Sequence, residues 1–579
     1  MNKTSEARSW DLRSLESPNL ERDYASLKHL SFNFSNETIG VATLPTVIQL
    51  HEILTKYLIA EAALDDVDSY LSLRAHIHPS ESGFEEMLLS MQTTTAELDQ
   101  FLRIWLASIP EAHFVSTINN PLFANRKAWL LKKHDDSTVY LNSNPEKTTA
   151  YWTSIEKPRT VYTNEFDSLS INHPISNKTL NIHSAMVSRY DENDKSARRE
   201  LRTRVRDSLV TFMPNASILL ERIYKLRAEN EKKDAFNDKL SDMSITPVAW
   251  DLFIQTAKTY KSILTMHHNN KSLLLGFQPD LDDPIDLKAS RSEPDLCFDE
   301  TIKHIELAWS DISPELGEII RLVNDKNHIF TNRPDSKSTN ATYHWLGNPL
   351  ISLNWNGDLA NANTLAHELG HAIHGFLRHK HDALEHSTNS IILETIAFFS
   401  ELLFKKHQVE TKLINPDQVH QHKIGNRFSD IYTTLARIEF ENNLLNLVRN
   451  SVALNTEIIT QTYEGSLLEW GQDNSAQHYS YAWPSLTHVF TYSYQNLNYL
   501  FPRILSYSLF NIYLKAKETH TIPAFSKNLI KMMSLSDSHT PQEILMTGGL
   551  DTSNHKTWEY GLKLMSAPIV NLHNELTTK

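Results

Sequence analysis

The sequence predicts a mainly α-helical protein, on three observations. Apolar residues recur at three- and four-residue spacings through long stretches of the 579-residue chain. Glycine is scarce, at 14 residues, which suits long helices and few tight turns. Strand-like patterning is confined to two regions that interrupt the helices.

Taken in order, the periodicity predicts helices over 47–62, 201–226, 301–323, 430–448 and 503–516. Between the first two, 113–180 reads as a mixed segment, with β-prone runs STVYLN and RTVYT. The second interruption, 328–358, is clearer. Ile351, Leu353 and Trp355 alternate with Ser352 and Asn354, the pattern of a half-buried strand, and Asn356-Gly357 then punctuates it. Such a strand could take up an extended peptide by backbone hydrogen bonding, which makes Ser352 and Asn354 candidate substrate contacts. No repeat of fixed period and no low-complexity tract is present.

Composition narrows the function classes. With 40% apolar and 22% charged residues the chain reads as folded and water-soluble. A net charge of −14, from 56 basic and 70 acidic residues, argues against sequence-independent nucleic-acid binding. No run of eighteen apolar residues predicts a membrane span. The N-terminus lacks the basic-then-apolar layout of a secretory signal, so a cytoplasmic location is expected. Cys297 is the single cysteine, which excludes an intrachain disulfide and a cysteine-based metal cluster. Its acidic neighbours in SEPDLCFDE disfavour a reactive thiolate.

The chemistry concentrates in ANTLAHELGHAIHGF, residues 362–376. Four-residue spacing puts His367 and His371 on one helix face, where both imidazoles can reach one tetrahedral ion. Glu368, about 100° around the helix, can deprotonate a water there rather than ligate. Asn361 or Asn363 is expected to cap the helix start. A third ligand is still required. The metzincin spacing fails, because its glycine and histidine positions hold His374 and Leu377. His374, His379 and His381 read as solvated, since Gly375 and the RHKHD run suggest that the helix is ending. Glu394 fits better: it is an acid among Ile392, Leu393, Ile396 and Phe398 on a second predicted helix, where a carboxylate must be paired, ligated or protonated. Glu401, seven residues on, shares its face and could orient a ligand histidine.

With these residues in place, the chain resembles the thimet oligopeptidase family of zinc metallopeptidases, and within it the oligoendopeptidase F branch. Thr364–His371 (TLAHELGH), Glu394 and Glu401 carry the likeness, and three further segments extend it along the chain. They are SWDLRSL at 9–15, NPLISLNWNGD at 348–358, and TPQEILMTGGLD at 540–551 with Trp558 after it. In THVFTYSYQNLNYLFPRIL, His488 matches a family histidine and Tyr499 falls where the catalytic tyrosine lies. Two departures stand out: Leu500-Phe501-Pro502 replace small residues and a glycine, and Phe398-Phe399 replace small residues on the ligand helix. Tyr492 and Tyr494 stand in for a second family tyrosine, as candidate substrate contacts.

The resemblance implies a large, two-lobed, zincin-type helical body with a deep central cleft and a small sheet beside the HExxH helix. It implies an N-terminal lobe over 1–195 and a catalytic lobe over 196–579. One Zn2+ per chain would be held by His367, His371 and Glu394, with Glu368 activating water and His488 and Tyr499 stabilising the oxyanion. Manganese or cobalt would also suit such ligands. The implied activity is endopeptidase cleavage of short oligopeptides. An exopeptidase, or a degenerate member that binds peptides without cutting, are the alternatives.

Overall fold

The architecture is that of a computed structural model. It describes residues 44–77, 84–142, 145–191, 194–230, 235–275, 296–331, 341–345, 348–355, 357–381, 389–414, 428–535 and 539–578, so the WDL-like segment at 9–15 lies outside the described residues. The protein is mainly α-helical, with two small sheets among the described residues. Four expected helices are present and longer than their periodic cores: Val47–Ile77, Lys195–Asn230, Phe428–Arg449 and Leu497–Glu518. The fifth, 301–323, is two helices, Phe298–Ser310 and Pro314–Asp325. Pro314 sets the break, because a proline forces the preceding residue out of the helical region, and Ser313 is extended at φ −156° and ψ 131°. No described helix is long and apolar enough to cross a membrane.

The mixed reading of 113–180 is corrected. STVYLN lies in the helix Lys127–Asn142 and RTVYT in the helix Pro145–Ser168. Among the described residues of this segment, strand structure is limited to a hairpin of β1 (Ser170–Asn172) and β2 (Thr179–Asn181). Burial on a helix face overrides strand propensity here. Ile155, Tyr162 and Phe166 are buried at helical spacing, and the Tyr162 ring stacks on Phe490 with centroids 3.7 Å apart.

The second sheet has β3 (Ile329–Phe330), β4 (Thr342–Trp345) and β5 (Pro349–Ser352) in the order β3-β5-β4. The strand expected at 351–355 is therefore β5, earlier by a few residues and buried along its whole length rather than on alternate faces. β5 pairs parallel with β3 and antiparallel with β4. Among the described residues its edges are taken by β3 at Ile351 and Ser352 and by β4 along Pro349–Ser352, and Ser352 has no exposed surface with which to meet an added peptide. Asn354 lies past the strand's end, half-buried.

Contacts group the chain into two compact units, each assembled from three segments. One comprises Met1–Pro145, Glu293–Thr411 and Ile512–Asp551, and the other Glu146–Ser292, Lys412–Asn511 and Thr552–Lys579. This partition differs from the expected 1–195 and 196–579, because each unit draws on distant parts of the chain. In the first unit, Leu50, Tyr57, Leu98, Leu102 and Leu130 form one buried cluster, and the β3-β5-β4 sheet packs with the HELGH helix. In the second, Arg227 is buried against Glu441, 3.5 Å away, and Trp558 packs on Phe253 and Phe501.

Candidate metal centre

The HELGH helix runs Leu359–His381. Its cap is Asp358, whose Oδ1 accepts from the Asn361 N–H at 2.6 Å, rather than Asn361 or Asn363. The helix continues past Gly375, and His374 is 1% exposed, not solvated. The sheet covers this end: the Trp345 ring stacks on His379 at 3.7 Å. The Glu394 helix, Ser390–Glu410, is capped by Asn389, which accepts from Ile391 N–H.

The two helices cross closely at Gly370. A Cβ there would lie 2.9 Å from both Ala397 Cα and Ser400 Cβ, so only glycine permits the approach. Ser400 secures the crossing by donating to the Ala366 carbonyl at 2.5 Å and accepting from Trp309 Nε1–H at 2.9 Å.

That crossing brings three candidate ligands together. His367 Nε2 is 3.5 Å from Glu394 Oε2, and His371 Nε2 is 4.0 Å from Glu394 Oε1. The imidazoles are nearly perpendicular, with centroids 4.9 Å apart. One ligand atom from each of the three lies within 4.8 Å of the others. A tetrahedral ion at ligand distances of 2.0–2.2 Å spaces its donors by about 3.4 Å, so this set fits one divalent ion after a small contraction. His367 Nδ1–H donates to Glu401 Oε1 at 2.9 Å, and Lys405 Nζ lies 3.4 Å from Glu401 Oε2.

The protonation pattern follows from these contacts. Burial opposes charge on His367, but hydrogen bonds to Glu394 and Glu401 outweigh it and raise its pKa to about 10. Burial, with His367 beside it, lowers His371 to about 3, so that imidazole is neutral. Burial would raise Glu394, yet the two histidines hold it below the usual carboxylate range. Glu368, 7% exposed, acts electrostatically on His367 and on Tyr343 of β4. Phe398 lies edge-on to His367, 5.1 Å between ring centroids, while Phe399 is core, packed against Trp309.

The tyrosine segment belongs to the second unit. There His488, in the short helix Thr487–Thr491, and Tyr499, in the first turn of Leu497–Glu518, have rings 6.1 Å apart. Burial, aided by Arg437, lowers the His488 pKa against an opposing hydrogen bond to Gln495. Tyr499 is 40% and Tyr492 62% exposed. Tyr494 is not a substrate contact: it is buried, donates to Asn442 Oδ1 at 2.9 Å, and sits in the left-handed region at φ 53°. Its N–H donates to Glu441 Oε2 at 3.0 Å, which holds the turn.

Sequence reasoning missed Gly370, Ser400 and Tyr343. The small residues G and S on facing helices were the one signal available for the crossing.

Residues 326–564 match peptidase family M3. Group B oligopeptidase PepB of Streptococcus agalactiae serotype III (strain NEM316) is 20% identical over 414 residues, 68% of this chain and 66% of that protein. Oligopeptidase PepF of Bacillus subtilis (strain 168) is 20% identical over 343 residues, 57% of this chain and 50% of that protein. The matched part thus spans 66% and 50% of these relatives' lengths. Two solved structures share the fold. A Chlamydophila abortus protein aligns with TM-score 0.76 and 18% identity over 98% of each chain. Oligoendopeptidase-F from Enterococcus faecium aligns with TM-score 0.67 and 12% identity over 96% of this chain and 98% of that one. The stretch that matches peptidase family M3 thus holds the HELGH helix, the Glu394 helix and the His488–Tyr499 segment, and the chain shares its fold with the oligoendopeptidase-F structure.

Proposed function

We propose that this protein is a zinc-dependent endopeptidase of short peptides, acting in the cytoplasm. The observation that carries the reading is the convergence of His367, His371 and Glu394, with Glu401 behind His367. The relatives named oligopeptidases support peptides as the substrate class. His367, His371 and Glu394 would hold one ion. When bound, zinc supplies Lewis acidity, lowering the pKa of water towards about 7 and polarising a carbonyl.

The chain's own residues do the rest. Glu368 takes one proton from the attacking water as oxygen bonds to the scissile carbonyl carbon, and returns it to the amine as the C–N bond breaks. Glu401 holds the His367 ring in place. His488 and Tyr499 are the proposed hydrogen-bond donors to the developing oxyanion; their adjacency and the segment's resemblance support that role.

The test is Glu368→Gln, assayed on an internally quenched peptide blocked at both ends. Turnover should fall by about 10²–10⁴-fold, while zinc stoichiometry stays near one. Undiminished cleavage by the variant sinks the assignment of Glu368. Cleavage by the unaltered protein only of peptides with a free terminus replaces the endopeptidase reading with an exopeptidase.

A further inference from the structure

A ligand histidine has a second ring nitrogen, and the partner of that nitrogen fixes the ring's tautomer and orientation. For His367 the partner is Glu401. For His371 the structure is asymmetric: its Nδ1 is buried and has no hydrogen-bond partner among the described residues. Beside it stands Tyr343 of β4, with ring centroids 5.7 Å apart at 44°. The Tyr343 hydroxyl is likewise buried and unpartnered, although the residue as a whole is partly exposed. His374, further along the helix, is buried with both ring nitrogens unpartnered. Polar capacity around His371 therefore exceeds what the surrounding side chains satisfy.

Gly375 explains how the hydroxyl comes to be there. A Cβ on Gly375 would lie 2.0 Å from Tyr343 Oη and 3.2 Å from Cζ. Gly375 is one turn beyond His371, on the same helix face. Glycine is a poor residue for a helix interior, yet it stands where the hydroxyl needs room. A buried hydroxyl without a partner is unfavourable, so phenylalanine would serve better if packing were the only role of this ring.

We propose that Tyr343 is the positioning residue for His371. With the ion bound, its hydroxyl oxygen accepts the Nδ1–H through one water, or directly once the two rings draw together, and so leaves the Nε2 lone pair for the ion, while Gly375 admits the hydroxyl. The proposal rests on the zinc reading above.

The test uses the full chain and two readouts: zinc dissociation constant by chelator competition, and melting temperature after zinc is stripped. Tyr343→Phe should bind zinc about 10–100-fold more weakly, with a melting temperature equal to or above that of the unaltered protein. Gly375→Ala, which displaces the hydroxyl, should weaken zinc similarly and lower the melting temperature. In the double variant the melting temperature should recover and the zinc affinity should not, an outcome that a packing role does not produce. Unchanged zinc affinity in Tyr343→Phe overturns the proposal while leaving the zinc site standing. An unaltered protein that takes up no zinc overturns both.

Discussion

His367 and His371 occupy the same helix face, four residues apart, yet they titrate in opposite directions. His367, raised to about 10, holds a proton at neutral pH, whereas His371, lowered to about 3, does not. Metal ligation needs neutral imidazoles, so zinc uptake should displace one proton from His367 at pH 7–8. Apparent affinity should then rise about tenfold per pH unit below the His367 pKa; chelator competition at pH 7 and 8 and an indicator dye in weak buffer read both effects. Glu401→Gln should weaken zinc by about 10–100-fold and reduce the protons released, since it removes one of the charges that raise His367. Proton release equal to that of the unaltered protein would exclude Glu401 as the cause. The convergence of His367, His371 and Glu394 was legible, the histidines because their geometry is local and Glu394 because a carboxylate on an apolar helix demands a partner. Tyr343 was not, since nothing in TYHW states which helix will lie over the strand. Ser352 and Tyr494 misled because polarity and position in a motif do not report burial.

The crossing of the HELGH and Glu394 helices is the element on which the geometry of the proposed ligands depends. Gly370→Ala should favour an isolated helix by about 0.8–1 kcal/mol, but in this helix its methyl meets Ala397 and Ser400 backbone and Cβ atoms that cannot rotate away. Overpacking of this kind costs about 1–3 kcal/mol. The net expectation is a lower melting temperature, measured by scanning calorimetry, together with weaker zinc binding as the two ligand sets separate. A rise in melting temperature would show that the helices part freely. Long helices were readable from their spacing, and Gly375 shows where such reading fails. A glycine near a polar run signals a helix end when the helix faces solvent, and a close approach when another element covers it. Only the three-dimensional neighbour, here Tyr343, distinguishes the two.

At the scale of the whole molecule, acid sensitivity and chain order have distinct origins. His267 in the second unit is lowered to about 4, first by burial and then by His268 and Lys271. The unfolded chain protonates this residue near 6.5 while the native one resists, so stability is lost as pH falls from about 6.5 to about 4, by at most about 3 kcal/mol. His267→Gln should flatten the melting temperature across that window; an unchanged slope would place the acid sensitivity elsewhere. The division at 195/196 was not legible because both units are assembled from separated segments. All three proposed ligands and Glu401 precede Thr411, yet the helices Ile522–Ser534 and Pro541–Thr547 pack against the HELGH and Glu394 helices from far downstream. A chain ended at Thr411 should therefore fail to bind zinc stoichiometrically, although it holds every ligand. The same order sets a timetable on the ribosome. At about 5–20 residues per second, the ligands emerge on the order of ten seconds before the helices that wall them in. On the proposed zinc reading, metal capture would belong after translation, and the nascent chain would pass through an interval in which its histidines are open to whichever divalent ion the cell supplies.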